Sequence, residues 1–343
     1  MTKLALITGI TGQDGSYLSE FLLLKGYKIY GIVRRNSVIY NYKRLEHIRD
    51  KLILNYGDMS DGSCLNSLIN NIIKNNNNFE VLEIYNLAAQ SHVGVSFEIP
   101  EYTANVDGIG VLKILEVIKS LDNDIKNKIK FYQAGTSEMY GKVLKTPQNE
   151  LTPFNPVSPY AAAKVYAYYI TKCYREAYNI YAVNGILFNH ESPRRGSNFL
   201  TMKVINGVKD IISGKIDSIE LGNLDSKRDW GHAQDYCRGM WLMMQQNIPD
   251  DYVLSTGKTY SVREFVEKAF KFKGYDIKWV GNGLREIGID QNNVRRISIN
   301  PKFFRPCEVD LLLGDSSKAK KKLNWDIQFN SLEYLIKSMF EDK

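Results

Sequence analysis

Tyr160 and Lys164 stand four residues apart in Ser158-Pro159-Tyr160-Ala161-Ala162-Ala163-Lys164, within a stretch whose apolar residues recur at helical spacing. Residues i and i+4 share one face of a helix, so the phenol and the ammonium face the same way. A phenol of ordinary pKa, about 10, is a poor base near neutrality. A neighbouring ammonium favours its phenolate, and the pair can then remove and return the proton of a substrate hydroxyl. Upstream, Thr136 and Glu138 follow directly on an apolar run. Thr136 can hydrogen-bond a substrate hydroxyl beside Tyr160, and Glu138 adds a carboxylate to the same site. Oxidising an alcohol requires only the phenol; the carboxylate predicts a second proton transfer at a neighbouring carbon.

A second group of residues is suited to binding. Gly9, Ile10, Thr11, Gly12, Gln13, Asp14 and Gly15 join the first apolar run to the first amphipathic stretch. Glycines three apart allow a tight turn and close backbone approach, and the helix that follows offers free N–H groups to a diphosphate. The second apolar run ends in Arg34, Arg35, Asn36 and Ser37, where an NAD site places an acidic residue. Two arginines and a serine suit a 2′-phosphate instead and predict NADP. Asp58 and Met59 follow the third run, where such folds touch the adenine. Leu87, Ala88, Ala89, Gln90 and Ser91 end the fourth, and their small members let a dinucleotide lie against the backbone.

These residues need a scaffold that brings the ends of several strands together. Apolar runs at 4–8, 28–33, 52–56, 81–87, 130–134 and 182–187 read as buried strands. Stretches 16–25, 63–73, 102–120 and 159–178 between them carry helical spacing. Strand–helix alternation predicts an α/β fold, a Rossmann-type doubly wound parallel sheet over residues 1–188. Ser158 and Pro159 are a good cap and first residue for the longest helix. Residues 189–343 are expected to form mainly a smaller α/β lobe facing the substrate, with the chain free to cross between lobes. Helices are expected there at 201–213, 234–246, 261–273 and 331–340, and a loop at 280–297.

The bulk figures exclude other classes. Of 343 residues, 44% are hydrophobic and 24% charged, which suits an ordinary globular chain with a sizeable core. A formal charge of +7 is dispersed, so it favours an anionic ligand and gives no expectation of nucleic acid. No apolar run spans a membrane, and the first residues do not read as a signal peptide. Cys64, Cys173, Cys237 and Cys307 have neither metal-ligand nor disulfide spacing, so no metal and a reducing, cytoplasmic setting are expected.

Taken with residues 189–196, Arg228-Asp229-Trp230-Gly231-His232-Ala233 and Phe304-Arg305-Pro306, these motifs resemble the extended short-chain dehydrogenase/reductases, and within them the GDP-mannose 4,6-dehydratase family. The resemblance covers nearly the whole chain, with Gly135 and residues 281–300 as its departures. It implies a lyase reaction in deoxysugar biosynthesis: GDP-mannose becomes GDP-4-dehydro-6-deoxy-mannose plus water. Hydride passes from C4 to NADP+ while Tyr160 removes the O4 proton. Glu138 abstracts the C5 proton and assists loss of the C6 hydroxyl, and hydride returns to C6. The resemblance also implies that Tyr102, Lys164, His190 and Arg195 touch the cofactor. Ser91, Thr136, Glu138, Tyr160, Asn189, Lys203, Arg228, Arg305 and Glu308 are then the residues for the GDP-sugar. Residues 34–37 resemble a subunit contact and imply a homodimer or homotetramer. Two alternatives stay open on the residues: a nucleotide-sugar 4-epimerase, which has no need of Glu138, and a binding module that holds NADP without turnover.

Overall fold

The computed structural model describes residues 1–35 and 42–341, so the expectations on Asn36 and Ser37 lie outside the described residues. Strands β1 (Thr2–Thr8), β2 (Lys28–Val33), β3 (Leu52–Tyr56), β4 (Phe79–Asn86), β5 (Ile129–Ala134) and β6 (Tyr181–Leu187) form the sheet read from the sequence. Asp251–Leu254 joins it at one edge, and the order is Asp251–Leu254, β6, β5, β4, β1, β2, β3. Every pairing is parallel. The order reverses direction between β1 and β4, and ligands bind at such a switch point beyond the strands' carboxyl ends. The register sets Thr8 opposite Asn86 and Ala134 opposite Gly185, so the ends carrying the candidate residues are level.

Both faces of the sheet are covered, which is why its strands read as nearly unbroken apolar runs. Leu4 and Leu6 of β1 pack among side chains of the Gly62–Lys74, Gly110–Ser120 and Pro159–Tyr178 helices. Ala5 and Ile7 turn the other way, toward Gln13–Leu24, Ala233–Met244 and Trp325. Thus residues beyond 189 supply both an edge strand and a covering helix to the large sheet. A separate core of Val204, Ile205, Trp230, Phe265, Phe270, Ile297 and Leu335 forms the smaller lobe.

Two expectations are corrected. The span 280–297, read as a loop, contains strand Ile287–Ile289 and part of Arg295–Ile299. With Lys278–Val280 and Ile219–Leu221 they make a four-stranded sheet. Gly281 and Gly283, both at positive φ, turn the chain between Lys278–Val280 and Ile287–Ile289, and the exposed Asn and Arg residues mask the alternation. The single helix read at 102–120 is Pro100–Ala104, one π turn at Asn105–Ile109, and Gly110–Ser120.

Candidate active site

The glycine turn shows why glycine is needed there. Gly9 has φ +66°, and a Cβ on it would lie 2.9 Å from the Ala88 backbone. A Cβ on Gly15 would lie 2.5 Å from the Gly9 carbonyl oxygen and 2.6 Å from Ile10 Cα. The first glycine thus lets the turn touch the end of β4, and the last seats helix Gln13–Leu24 on the turn. Gly12 caps that helix without a side chain, leaving its first amides facing the cleft. Thr8 Oγ1 donates to Asn86 Oδ1 (2.8 Å) and accepts from the amides of Leu87 (3.0 Å) and Ala88 (2.9 Å), so β4 leaves the sheet in a fixed direction.

A cleft of about 540 Å³ opens above these strand ends. It brings together Gly9, Thr11, Gly12, Gln13, Asp14, Gly15, Arg34, Asp58, Met59, Leu87, Ala88, Ala89, Ser91 and Tyr102. Thr136, Glu138, Tyr160, Lys164, Asn189, His190, Arg195 and Arg305 line the same cleft. Arg35 borders an adjoining recess of about 280 Å³ with Arg34, Tyr56 and Asp58. Ile10 turns its side chain into the core. Gln90 stands behind the wall, its amide side chain tied to His92 and Thr103. Lys203 sits over the Phe303 ring, 3.4 Å from its centroid. Arg228 and Glu308 form a layer behind Glu138 and Arg305.

Tyr160 and Lys164 ride on the Pro159–Tyr178 helix. Ser158 Oγ caps it by accepting from the Ala161 amide at 3.1 Å, and Pro159 begins it. Both side chains are buried, with Lys164 Nζ 5.9 Å from the Tyr160 ring centroid. Lys164 donates to the Ala134 carbonyl at 3.0 Å, which fixes the ammonium over the end of β5. Burial pushes the Lys164 pKa down, and the carboxylate of Asp107 opposes it.

The phenol departs from expectation. Burial first, and then the Asp107 charge, hold the Tyr160 pKa well above its ordinary value, while the Thr136 hydroxyl works against them. Glu138 follows Thr136, whose hydroxyl accepts the Glu138 amide at 3.2 Å. Its Oε1 faces two guanidiniums, Arg305 Nη1 at 3.8 Å and Arg228 Nε at 3.9 Å. Glu308 draws the same pair, at 3.4 Å and 3.0 Å. The arrangement can therefore handle a proton at one atom through Tyr160 and at a neighbouring atom through Glu138.

Sequence reasoning missed two charged groups. Arg44 lines the cleft and donates to the carbonyls of Thr11 (3.1 Å) and Arg194 (2.8 Å). Its only signal was position, a lone arginine beyond the Arg34–Ser37 stretch. Asp107 lies one layer behind the wall, and the glycines on either side of Ile109 were its only signal, breaking a helical run.

The family model described as GDP-mannose 4,6 dehydratase matches residues 6–339. The chain is 54% identical to the GDP-mannose 4,6 dehydratase of Drosophila melanogaster over 349 residues, covering 99% of this chain and 86% of that protein. It is similar in fold to dTDP-glucose 4,6-dehydratase of Bacillus anthracis in complex with NAD, at TM-score 0.76 and 21% identity, covering 98% and 96% of the two chains. UDP-glucose 4-epimerase of Thermotoga maritima with UDP-glucose gives TM-score 0.76 and 21% identity, covering 98% of each chain. At such identities the two structures speak for the fold alone.

Proposed function

The chain belongs to the GDP-mannose 4,6-dehydratase family, and on that premise we propose that it converts GDP-mannose to GDP-4-dehydro-6-deoxy-mannose and water, with NADP as its tightly held cofactor. The observation that carries the reading is the meeting of Tyr160, Lys164, Thr136 and Glu138 with the glycine turn in one cleft. The residues fit a dinucleotide. Cleft volumes of roughly 300–1,000 Å³ hold such ligands, and at Gly9 and Gly15 a methyl group would fill the cradle. Arg34 and Arg35, with no carboxylate in their place just after β2, support a 2′-phosphate.

A bound nicotinamide dinucleotide supplies the hydride acceptor and donor, and its positive ring favours ionisation of a phenol beside it. Tyr160 takes the O4 proton, and Thr136 holds that hydroxyl toward it. Lys164, anchored on Ala134, keeps a positive charge under the phenol's helix turn. Glu138 removes the C5 proton once C4 is a ketone, because the carbonyl acidifies its neighbour, and it delivers a proton to the departing C6 hydroxyl; C5 then regains a proton exchanged with solvent as hydride returns to C6, and Tyr160 releases the proton it took from O4. Arg305 and Arg228 have the planar fork that suits a sugar nucleotide's diphosphate, and both stand within 4.0 Å of Glu138. Asn189, Lys203 and Glu308 complete the proposed sugar-nucleotide contacts, and His190, Arg195, Tyr102 and Asp58 those of the cofactor. A homodimer or homotetramer in the cytoplasm belongs to the same proposal; the four free cysteines support the reducing setting, and light scattering reads the assembly.

Incubation with GDP-mannose and NADP+ in D2O, followed by mass spectrometry, tests the reading. The expected product has lost one water and carries deuterium at C5. Glu138→Gln should stall after the C4 oxidation, with turnover down by about a thousandfold. A product of unchanged mass, or a Glu138→Gln variant of undiminished turnover, would point to epimerisation instead.

A further inference from the structure

Asp107 is a buried charge that none of these roles uses. It lies in the π turn Asn105–Ile109, inserted between helices Pro100–Ala104 and Gly110–Ser120. A π turn re-aims the side chains it carries and recurs at functional sites. This one packs on the helix of Tyr160 and Lys164: a Cβ on Gly108 would stand 3.4 Å from the carbonyl oxygen of Ala163.

The Asp107 carboxylate is 1% exposed. Its Oδ1 accepts the Gln90 amide at 2.7 Å and so fastens the wall segment Leu87–Ser91 from behind. Its Oδ2 is buried with no partner among the described residues. Leaving a buried charged oxygen without a donor is costly. An asparagine could accept the Gln90 amide without a charge, so the charge itself calls for an explanation. Lys164 is the cation that faces Asp107. The charged groups that face Tyr160 are Asp107 from the π turn, Glu138 from the turn after β5, and Arg195 from the segment after β6.

Resting on the cofactor reading above, we propose that Asp107 is a positioning residue for the Tyr160–Lys164 pair: one carboxylate oxygen pins the Gln90 wall, and the other, buried and unpartnered in the π turn packed on their helix, turns a negative charge toward the pair. Burial pushes the Asp107 pKa up to about 6, so the charge is present above that pH. Lys164 and the Gln90 amide oppose the rise.

Two variants separate the two oxygens. Asp107→Asn keeps an acceptor for Gln90 and removes the charge; Asp107→Ala removes both. In the NADP+ complex, Asp107→Asn should lower the pH at which Tyr160 ionises by about one unit. Ultraviolet difference titration against Tyr160→Phe reads this without turnover, so failure of the dehydratase reading leaves the result interpretable. The acid-side limb of the kcat profile with GDP-mannose should move the same way. NADPH affinity, by fluorescence titration, should stay within about threefold in Asp107→Asn and fall about tenfold in Asp107→Ala. The proposal is overturned if Asp107→Asn leaves the Tyr160 titration in place, or weakens NADPH as much as Asp107→Ala does. Should Asp107→Ala not fold, the titration of Asp107→Asn decides alone.

Discussion

His190 is held by two acceptors, and that fixes its protonation. Nδ1 lies 2.7 Å from the Phe188 carbonyl and Nε2 lies 2.8 Å from Asp14 Oδ2. A carbonyl can only accept, so Nδ1 carries a proton, and the carboxylate draws a second to Nε2. Burial alone would push the His190 pKa down; the charge and hydrogen bond of Asp14 outweigh it and raise it. Burial would likewise raise Asp14, yet the imidazolium holds it below the usual carboxylate range. Asp14 sits in the first turn of the helix that faces a cofactor diphosphate, where a bare carboxylate repels the ligand. His190 neutralises it. The contribution is fully present below the ordinary histidine pKa of about 6.5 and is lost as pH rises through the raised native value. NADPH affinity should therefore weaken as pH rises above the ordinary histidine range and through the raised His190 value, where the cofactor phosphates are already ionised. His190→Gln should bind more weakly at the lower pH and lose the pH dependence. A wild-type affinity constant across that range would sink the account. The resemblance pointed to His190 and the glycine turn to Asp14, but nothing in the sequence paired them, because 176 residues separate the two.

Whole elements were legible where one local rule decides them. Alternation of apolar runs and amphipathic stretches gave six strands of the large sheet, and Ser158-Pro159 gave the start of the longest helix. Asp251–Leu254 escaped because four residues carry too little pattern, and only pairing with β6 makes them a strand. The glycine turn was legible from spacing, although its close contacts with Ala88 and Ile10 required the fold. These differences can be tested by substitution. Ser158→Ala removes one cap and should cost about 1 kcal/mol by urea denaturation. Gly15→Ala should cost more and reduce NADPH affinity about tenfold or further, because its methyl meets backbone that cannot move aside. Gly26 is the control: it has φ +79° and open space around it. Gly26→Ala should lower stability by about 1 kcal/mol through backbone strain and leave the affinity unchanged. Equal losses of affinity in both variants would show that the turn's packing is not what prepares the site.

Across the molecule, the glycine turn and the helix after it are tied to the segment that follows β6 by a set of polar contacts. Gln13 Nε2 donates to the His190 carbonyl at 3.1 Å, and Ser192 Oγ donates to Gln13 Oε1 at 2.8 Å. Arg194 pairs with Glu20 at 2.6 Å and lies over the Tyr17 ring, while Arg44 bridges Thr11 to Arg194. The cleft is therefore walled on one side by the large sheet's first turn and on the other by the entry to the smaller lobe. The large sheet's edge strand and one covering helix come from beyond residue 189, so the first half of the chain does not complete the large sheet's core alone. This long-range coupling is the part of the site that sequence could not disclose. Gln13 and His190 were named from the sequence, but Arg44 was not, and the partner of each lay in the other half of the chain. A ligand bound in such a cleft should stabilise both lobes together. Differential scanning calorimetry should show one unfolding transition, shifted upward by NADP+. At about one hundred times its Kd, the cofactor should add about 2.7 kcal/mol. Arg194→Ala, which removes a tie outside the cleft lining, should lower the transition without cofactor and shrink the upward shift. Two transitions, with only one responding to NADP+, would mean that these ties do not join the lobes into one cooperative unit.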